Sequence, residues 1–227
     1  MTPERASRER GFWDAFAGGY DLFMRIARPT YGEITDCIYP WLNESSNVLE
    51  VAAGTGLIAL EVAGKVKRVS GIDISPSMIG VAARKAAARG ITNAEFSVQD
   101  AYRLPFESGA FDVVVATNVL HVLMQPERVL SEVHRVLKDD GILVAPTYCH
   151  GENRRSRTVS FIMGLSGFKT FHKWSIRSYT AFFEDCDFGV VEAVRLENRI
   201  PVALVVAAKR QRSSGNGPMR KGVSINV

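Results

Sequence analysis

The sequence predicts an α/β fold with a doubly wound, mostly parallel sheet that ends in a C-terminal antiparallel hairpin. From residue 47 onwards, short apolar runs alternate with helical patterns, and this alternation is typical of parallel strands joined by crossover helices. The last two apolar runs are separated only by Glu197-Asn198-Arg199, a link too short for a crossover helix. We therefore expect these two strands to pair antiparallel.

Three segments divide the chain. Residues 1–45 precede the first strand and are expected to form an N-terminal helical lid. Residues 46–208 are the predicted sheet domain, with a cap at about 150–173 between strand five and the last helix. Residues 209–227 combine basic residues with Ser, Gly, Asn and Pro and are predicted to be a disordered basic tail. At 227 residues, the chain is long enough for one α/β domain with a full core.

The individual elements follow from periodicity and from capping residues. Aromatic residues at helical spacing predict a helix from residue 12, a break at Gly18-Gly19 and a second helical turn before Arg28. Ser75 before Pro76 and Ser175 are the predicted N-caps of two later helices. The predicted strands are 47–51, 68–73, 94–98, 111–116, 141–147, 189–197 and 200–208. The predicted helices, besides the first, are 31–43, 56–64, 76–90, 126–138 and 175–186.

The net charge of +4 arises from the tail, which holds five cations and no acid. Subtracting these five from +4 leaves the rest of the chain at −1, so no nucleic-acid partner is expected. The five cations are Lys209, Arg210, Arg212, Arg220 and Lys221.

Three widely spaced cysteines, Cys37, Cys149 and Cys186, are typical of reduced thiols and show no metal-site spacing. The first ten residues lack the apolar core of a signal peptide, and no apolar run approaches transmembrane length. We therefore expect a cytoplasmic protein without a metal, whose oligomeric state the sequence does not indicate.

The stretch Val48-Leu49-Glu50-Val51-Ala52-Ala53-Gly54-Thr55-Gly56-Leu57 is central to the prediction of function. It indicates a buried strand that turns tightly into a helix, with glycines where the backbone approaches a ligand. The N–H groups that begin such a helix favour a negatively charged group. Glu50 is unusual, because a carboxylate at the end of a buried strand is unfavourable unless a cation meets it.

Two cofactors are compatible with this stretch alone. Gly54-x-Gly56-x-x-Ala59 satisfies the dinucleotide fingerprint, and Asp73 lies at the distance expected of a ribose-binding acid, so NAD and S-adenosylmethionine (SAM) both remain open. Ligands of doubly wound sheets bind at the carboxyl ends of the strands. Four polar residues lie at or just beyond four such ends: Glu50, Asp73, Asp100 and Asn118.

With five motifs in order, the sequence resembles the class I SAM-dependent methyltransferases, in particular the type 11 group. This group has a Rossmann-like fold and includes quinone-pathway C-methyltransferases and some phospholipid N-methyltransferases. The resemblance covers about residues 12–208. Its motifs are Glu50-Val51-Ala52-Ala53-Gly54-Thr55-Gly56, Gly71-Ile72-Asp73-Ile74-Ser75, Gln99-Asp100-Ala101 with Leu104-Pro105-Phe106, Phe111-Asp112-Val113-Val114 leading to Asn118, and Leu137-Lys138-Asp139-Asp140-Gly141.

The resemblance implies SAM as cofactor and a role for each matched residue. Gly54 and Gly56 would approach the methionine part of SAM, Glu50 would face its ammonium group, and Asp73 would bind both ribose hydroxyls. The adenine would contact Ile74, Met78, Asp100 and Ala101. Asn118 would lie at the methionyl end, and Tyr20-Asp21 resembles the lid that closes over the cofactor. Ala52 stands where the family often has Gly, and we expect an ordinary extended backbone there.

Methyl transfer from a sulfonium needs positioning and exclusion of water more than acid–base residues. A general base is needed only if the acceptor must lose a proton, and His121, Tyr20 and His150 are the candidates. The cap mixes apolar residues with Arg154, Arg155, Arg157, Lys169 and Lys173, which fits a small-molecule or lipid-like acceptor with an anionic group, or peripheral membrane contact. An NAD(P) oxidoreductase and a catalytically silent SAM-binding protein remain the alternatives.

Overall fold

The computed structural model describes residues 3–25, 28–150, 152, 154, 157–158, 170–197, 201–210 and 224–226. In chain order, the strands are β1 Asn47–Val51, β2 Arg68–Asp73, β3 Ala94–Val98, β4 Phe111–Val115, β5 Leu137–Tyr148, β6 Phe188–Leu196, β7 Val202–Lys209 and β8 Ser224–Asn226. The α-helices are α1 Pro3–Arg25, α2 Arg28–Ile38, α3 Leu57–Val62, α4 Pro76–Ala88, α5 Pro126–Val136 and α6 Ile176–Asp185. Short 3-10 helices lie at Tyr39–Trp41, Ala63–Lys65 and Leu120–Val122.

The eight strands form one sheet in the order β3-β2-β1-β4-β5-β7-β6-β8. Strands β1 to β5 pair in parallel, and β7 lies antiparallel between β5 and β6. The predicted fold class, including the C-terminal antiparallel hairpin, is confirmed. Because the strand order reverses between β1 and β4, a crevice is expected beyond the carboxyl ends of these two strands.

Apolar side chains cover both faces of the sheet. Leu49 and Val51 pack in the core on the side of α5 and α6, whereas Val48 packs in a second core with α2 and α3. A strand buried on both faces has no polar face, so its sequence is a continuous apolar run. This arrangement isolates Glu50, the one carboxylate within β1, from solvent.

Helices α4 and α6 begin at the predicted serines. Ser75 Oγ accepts a hydrogen bond from the Met78 N–H at 3.1 Å, and Pro76 occupies the first turn of α4. Ser175 and Ser178 form a reciprocal capping box at the start of α6. Both N-caps were predicted and are confirmed.

Close packing explains one glycine of β2. A Cβ atom at Gly71 would lie 2.6 Å from the Phe96 ring, so the aromatic side chain of β3 occupies the space that a larger residue would need. The same ring lies 3.0 Å from the position of a Cβ at Gly56. Phe96 therefore packs β3 against the turn that follows β1.

The structure differs from the prediction at the lid. The predicted break at Gly18-Gly19 is wrong, since α1 continues through both glycines to Arg25. The helix predicted at 31–43 already begins at Arg28 and ends at Ile38, followed by the 3-10 turn Tyr39–Trp41. Interactions of α1 with α4, described below, hold the helix across the glycines.

The predicted tail also needs correction. Lys209, assigned to the disordered tail, ends β7, and Ser224–Asn226 form β8 in parallel with β6, so the prediction of disorder is wrong for these residues. The prediction for 211–223 lies outside the described residues, as do most of the cap and its Arg155 and Lys169. No helix among the described residues has the length and apolar character needed to cross a membrane.

Candidate functional site

The turn after β1 has left-handed backbone at three alternate residues. The φ angles are +57° at Ala52, +53° at Gly54 and +76° at Gly56. The extended backbone expected for Ala52 is therefore wrong. The chain must turn from β1 into α3 within five residues while the Ala53 N–H still bonds the Ile72 carbonyl at 2.8 Å, and the left-handed bend at Ala52 allows both.

The turn leaves free space at Gly54. No heavy atom lies within 4 Å of where a Cβ would be at this residue, so the backbone is accessible to a ligand. Its N–H donates to Asp73 Oδ2 at 2.9 Å, which fixes the turn to the end of β2.

Glu50 is only 3% exposed, and its Oε2 accepts a hydrogen bond from the Ala59 N–H at 2.8 Å. Burial raises the pKa of its carboxyl group to about 8, the Ala59 N–H opposes this shift, and nearby Asp73 adds to it. The end of β1 therefore holds an acid that gains from a cationic ligand.

Asp73 is 8% exposed at the end of β2. Its two oxygens accept the N–H groups of Gly54 and Ser75, each at 2.9 Å. Burial raises the pKa of this carboxyl group, and these backbone donors counteract the shift. Each oxygen keeps a second lone pair, so the fixed carboxylate can still accept two hydroxyl groups.

The residues predicted to contact adenine follow β2 and β3. Ile74 is half-buried, Met78 is fully buried on α4, and Ala101 is half-buried. Asp100 is exposed, and its Oδ1 accepts the Tyr102 N–H at 2.9 Å. The Gln99 N–H bonds the Asp73 carbonyl at 2.9 Å, which places the ends of β2 and β3 side by side.

Two carboxylates of α1 contact this edge of the sheet. Asp21 Oδ1 accepts the Thr55 hydroxyl at 2.5 Å, and Asp21 Oδ2 lies 2.9 Å from Lys85 Nζ of α4, which also donates to the Thr55 carbonyl. Asp14 accepts the Ser75 hydroxyl at 2.5 Å, and this bond is the main cause of its lowered pKa. Helix α1 thus lies over the turns that follow β1 and β2.

A cluster of aromatic and amide side chains lies around the carboxyl ends of β4 and β5, and two of its tyrosines, Tyr20 and Tyr31, lie near enough to Glu50 for its charge to raise their pKa values. Asn118, with a φ of +54°, donates through Nδ2 to the Tyr31 hydroxyl at 3.4 Å, and Tyr31 is hydrogen-bonded to Tyr20. Ring centroids of His121 and His150 are 5.3 Å apart. We call these residues the Tyr/His cluster: Tyr20, Tyr31, Asn118, His121, Tyr148 and His150.

Burial keeps the cluster uncharged at neutral pH. It lowers the pKa of His121 to about 3 and that of His150 to about 4, and raises the pKa of Tyr20 to about 12. His121 Nδ1 is 2.8 Å from the Thr147 hydroxyl. The three candidate general bases therefore lie together, but as neutral hydrogen-bonding groups.

Comparison with known proteins defines the central part of the chain. The sequence model of the family described as "Methyltransferase domain" matches residues 49–145, which contain the ends of all four strands discussed above. Residues 49–145 match a class I methyltransferase domain. The cofactor of this class of domain is SAM.

Curated relatives of the methyltransferase domain include quinone-pathway enzymes. The ubiquinone/menaquinone biosynthesis C-methyltransferase UbiE of Citrifermentans bemidjiense is 36% identical over 154 residues, 62% of this chain and 63% of the relative. The UbiE protein of Brucella suis is 38% identical over 114 residues, 47% of this chain and 42% of the relative. The chain thus matches about half of the length of these relatives.

Solved structures share the fold. A SAM-dependent methyltransferase of Thermotoga maritima has a TM-score of 0.70 at 19% identity, over 87% of this chain and 98% of that chain. The YcgJ protein of Bacillus subtilis has a TM-score of 0.67 at 18% identity, over 79% and 99% of the two chains. At these identities the likeness concerns the fold alone.

The residues of the methyltransferase domain fit SAM. Gly54 leaves open space at the turn, Glu50 is a buried acid suited to a cation, and Asn118 Oδ1 is buried without a partner among the described residues. Among the residues that the structure describes, no group of three or more His, Cys, Asp or Glu side chains could hold a metal ion.

Sequence reasoning missed Tyr31, Asp14, Thr55 and Lys85. Asp21 and Lys85 are 64 residues apart, and Asn118 and Tyr31 are 87 apart, so no local pattern connects them. The adjacent Tyr20-Asp21 pair was the only signal within the lid.

Proposed function

We propose that this protein transfers the methyl group of SAM to a ring carbon of a small, hydroxylated aromatic acceptor that resembles a quinol. The observation that carries the acceptor class is the Tyr/His cluster, which offers uncharged hydroxyl, amide and imidazole groups beside Glu50. An uncharged aromatic ring with hydroxyl groups suits such surroundings better than an ionised amine or carboxylate. The UbiE relatives are C-methyltransferases by name, which supports carbon as the methylated atom.

In this proposal the strand ends bind SAM. Glu50 meets the ammonium group and Asp73 the ribose hydroxyls, while Gly54 and Gly56 allow the backbone to approach the methionine part. The adenine lies against Ile74 and Met78, with Asp100 and Ala101 at its edge. Ala52, Tyr20 and Asn118 surround the methionyl end.

SAM supplies an activated methyl group, so the protein's residues act by positioning the acceptor and excluding water. Methylation of a ring carbon would displace one ring proton, and this proton would pass to solvent because neither His121 nor His150 holds an extra proton at neutral pH. His121 and His150, with pKa values of about 3 and 4, are weak bases and act as hydrogen-bond partners of the acceptor.

A surface cleft supports a polar or anionic group at the far end of the acceptor. This cleft of about 500 Å³ is lined by Arg157, Lys173, Ser175 and Ser178, at the start of α6. The charge of Lys173 adds to the effect of burial in lowering the pKa of His150. The cleft therefore lies near the Tyr/His cluster. The proposal therefore includes a lipid-like acceptor whose polar head group lies at this cleft. It also includes peripheral contact of the protein with a membrane.

The test is conversion of SAM to S-adenosylhomocysteine with matched acceptors: a substituted hydroquinone, the same ring with both hydroxyls methylated, and an aliphatic amine. Turnover with the hydroquinone alone, with the methyl group found on a ring carbon, is expected. Transfer to the amine would overturn the acceptor class.

A binding measurement tests the cofactor residues separately. Asp73→Ala should weaken SAM binding by ~1–3 kcal/mol, the range for losing charge-assisted hydrogen bonds. Asp139→Ala, an exposed carboxylate at the other end of the sheet, is the control and should bind SAM normally. Equal affinity in both variants would remove Asp73 from the site.

A further inference from the structure

Tyr31 lies on α2, which the five motifs of the domain do not include. Burial raises the pKa of its phenol well above the ordinary value, so the hydroxyl keeps its proton and acts only through hydrogen bonds. It accepts the Asn118 Nδ2–H and is also bonded to Tyr20 of α1. Tyr31 therefore joins the lid to the segment after β4.

The amide of Asn118 is only half satisfied by these contacts. Nδ2 bonds Tyr31, whereas Oδ1 is buried and has no partner in the ranges that the structure describes. A buried amide oxygen without a donor is unfavourable, because it has lost its hydrogen bonds to water and gained none in return. Left-handed backbone at Asn118 adds strain, and strain of this kind is found at ligand-binding positions.

The surroundings indicate which donor completes the amide. Glu50 pairs in register with Val115, the last residue of β4, so the segment that holds Asn118 begins beside Glu50. Glu50 also influences the pKa of both Tyr31 and Tyr20. Two oxygen-bearing side chains, one acidic and one amide, thus lie at the adjacent ends of β1 and β4. A cationic N–H donor satisfies both.

We propose that Tyr31 is a positioning residue: its hydroxyl holds the Nδ2 side of the Asn118 amide, so that Oδ1 accepts a hydrogen bond from the ammonium group of bound SAM. This inference rests on the proposed function, in which SAM occupies this site. Removing the Tyr31 hydroxyl releases the amide to rotate, and the bond to the ammonium group weakens.

The experiment compares two probes by calorimetry on the full chain. S-adenosylhomocysteine carries the ammonium group, whereas 5′-methylthioadenosine keeps the nucleoside but lacks the amino-acid part. Tyr31→Phe should weaken S-adenosylhomocysteine binding about three- to tenfold and leave 5′-methylthioadenosine binding unchanged. A loss of structure around the site would weaken both probes equally, which would overturn the positioning role.

A second variant tests the orientation of the amide. Asn118→Asp keeps an oxygen where Oδ1 lies, so it should bind S-adenosylhomocysteine at least as tightly as the wild type, whereas Asn118→Ala should weaken it. If Asn118→Asp loses as much as Asn118→Ala, the amide donates instead of accepting, and the proposal is wrong.

The control is Tyr39→Phe, which removes a tyrosine hydroxyl that interacts with Glu61 instead of the site. Its affinity for both probes should equal that of the wild type. If the wild type binds S-adenosylhomocysteine and Tyr31→Phe binds it equally well, the inference about Tyr31 fails. If the wild type binds neither probe, the proposed function itself fails.

Discussion

Single residues at the end of β1 show how the candidate site combines backbone strain with a buried acid. Ala52 adopts a left-handed backbone that an L-residue reaches at a cost of about 1–2 kcal/mol. Two residues earlier, Glu50 is held without a cationic partner at hydrogen-bond distance among the described residues. Both features are local losses of stability at the place where we propose that SAM binds.

Ala52→Gly should stabilise the fold by about 1 kcal/mol, because glycine adopts a φ of +57° without steric strain. Thermal unfolding should shift upward by about 2–4 °C for a chain of this size. Ala53→Gly is the matched control: Ala53 is buried and has no positive φ, so this variant should be less stable than the wild type. A lower melting temperature for Ala52→Gly would show that its methyl group contributes more by packing than the backbone loses by strain.

Glu50 makes both stability and SAM affinity depend on pH. In the unfolded chain the carboxyl group loses its proton near 4.5, but in the folded protein it holds the proton up to about pH 8. The folded state binds more protons over this interval, so the free energy of unfolding should fall as pH rises from 4.5 to about 8.

SAM binding should show the opposite trend, since the ammonium group favours the ionised carboxylate. Affinity should rise, by up to about tenfold per pH unit, from about pH 6 to about pH 7.5, and binding should release a proton. Glu50→Gln should bind more weakly and without this pH dependence, whereas Glu44→Gln, at an exposed position, should behave like the wild type. The number of protons released on SAM binding can be measured by calorimetry in buffers of different ionisation enthalpy. A value of zero would contradict the prediction.

At the scale of elements, helix α1 lies over the turns that follow β1 and β2 through contacts that no local sequence pattern predicts. Each glycine inside a helix is unfavourable by about 1 kcal/mol relative to alanine, which is why Gly18-Gly19 predicted a break. Asp14 and Asp21 bond partners 61 and 64 residues away, and these tertiary contacts keep α1 continuous.

Lys85→Met should loosen α1, because it removes the ion pair with Asp21 and the hydrogen bond to the Thr55 carbonyl. We expect faster tryptic cleavage within α1 and faster SAM dissociation, by a factor of several, since the partly exposed pair contributes up to about 1 kcal/mol. Arg84→Met is the control, as Arg84 is the exposed neighbour on α4. Identical cleavage rates in the two variants would show that the ion pair does not hold the lid.

The strands and N-caps were predictable for physical reasons. β1, β2 and β3 begin and end at the predicted residues because buried parallel strands are short apolar runs bounded by turns. β5 begins at Leu137, within the helix predicted at 126–138, since pairing with β4 overrides the local helical pattern. Tyr31 and Lys85 could not be placed in the candidate site, and the Asp21 partner of Thr55 could not be predicted, because the contacting residues lie far apart in sequence.

At the scale of the whole molecule, the sheet has a parallel half that carries the site and an antiparallel half that extends it. Strand β7 lies between β5 and β6 and is buried along most of its length, so the hairpin belongs to the core. β8 adds only three residue pairs at the edge of β6.

Truncation after Arg210 should therefore leave thermal stability and SAM affinity nearly unchanged, because β8 contributes only three residue pairs at the edge of the sheet, several strands away from β1 and β2. Arg210 is kept, since its N–H bonds the Asp187 carbonyl at 2.9 Å. Truncation after Leu204, within buried β7, is the control and should prevent folding. If the melting temperature of the variant truncated after Arg210 fell by many degrees, β8 would be needed for the stability of the sheet.

The position of Trp13 on helix α1 allows the movement of this helix to be followed by tryptophan fluorescence. Trp13 precedes Asp14 on α1 and its ring stands edge-to-face with Phe12 at 5.1 Å, whereas the other two tryptophans, Trp41 and Trp174, lie outside α1. A Trp41→Phe/Trp174→Phe variant would emit from Trp13 alone. Its emission wavelength and quenching by iodide would then report the opening of α1 in real time, without a label and before any acceptor is known.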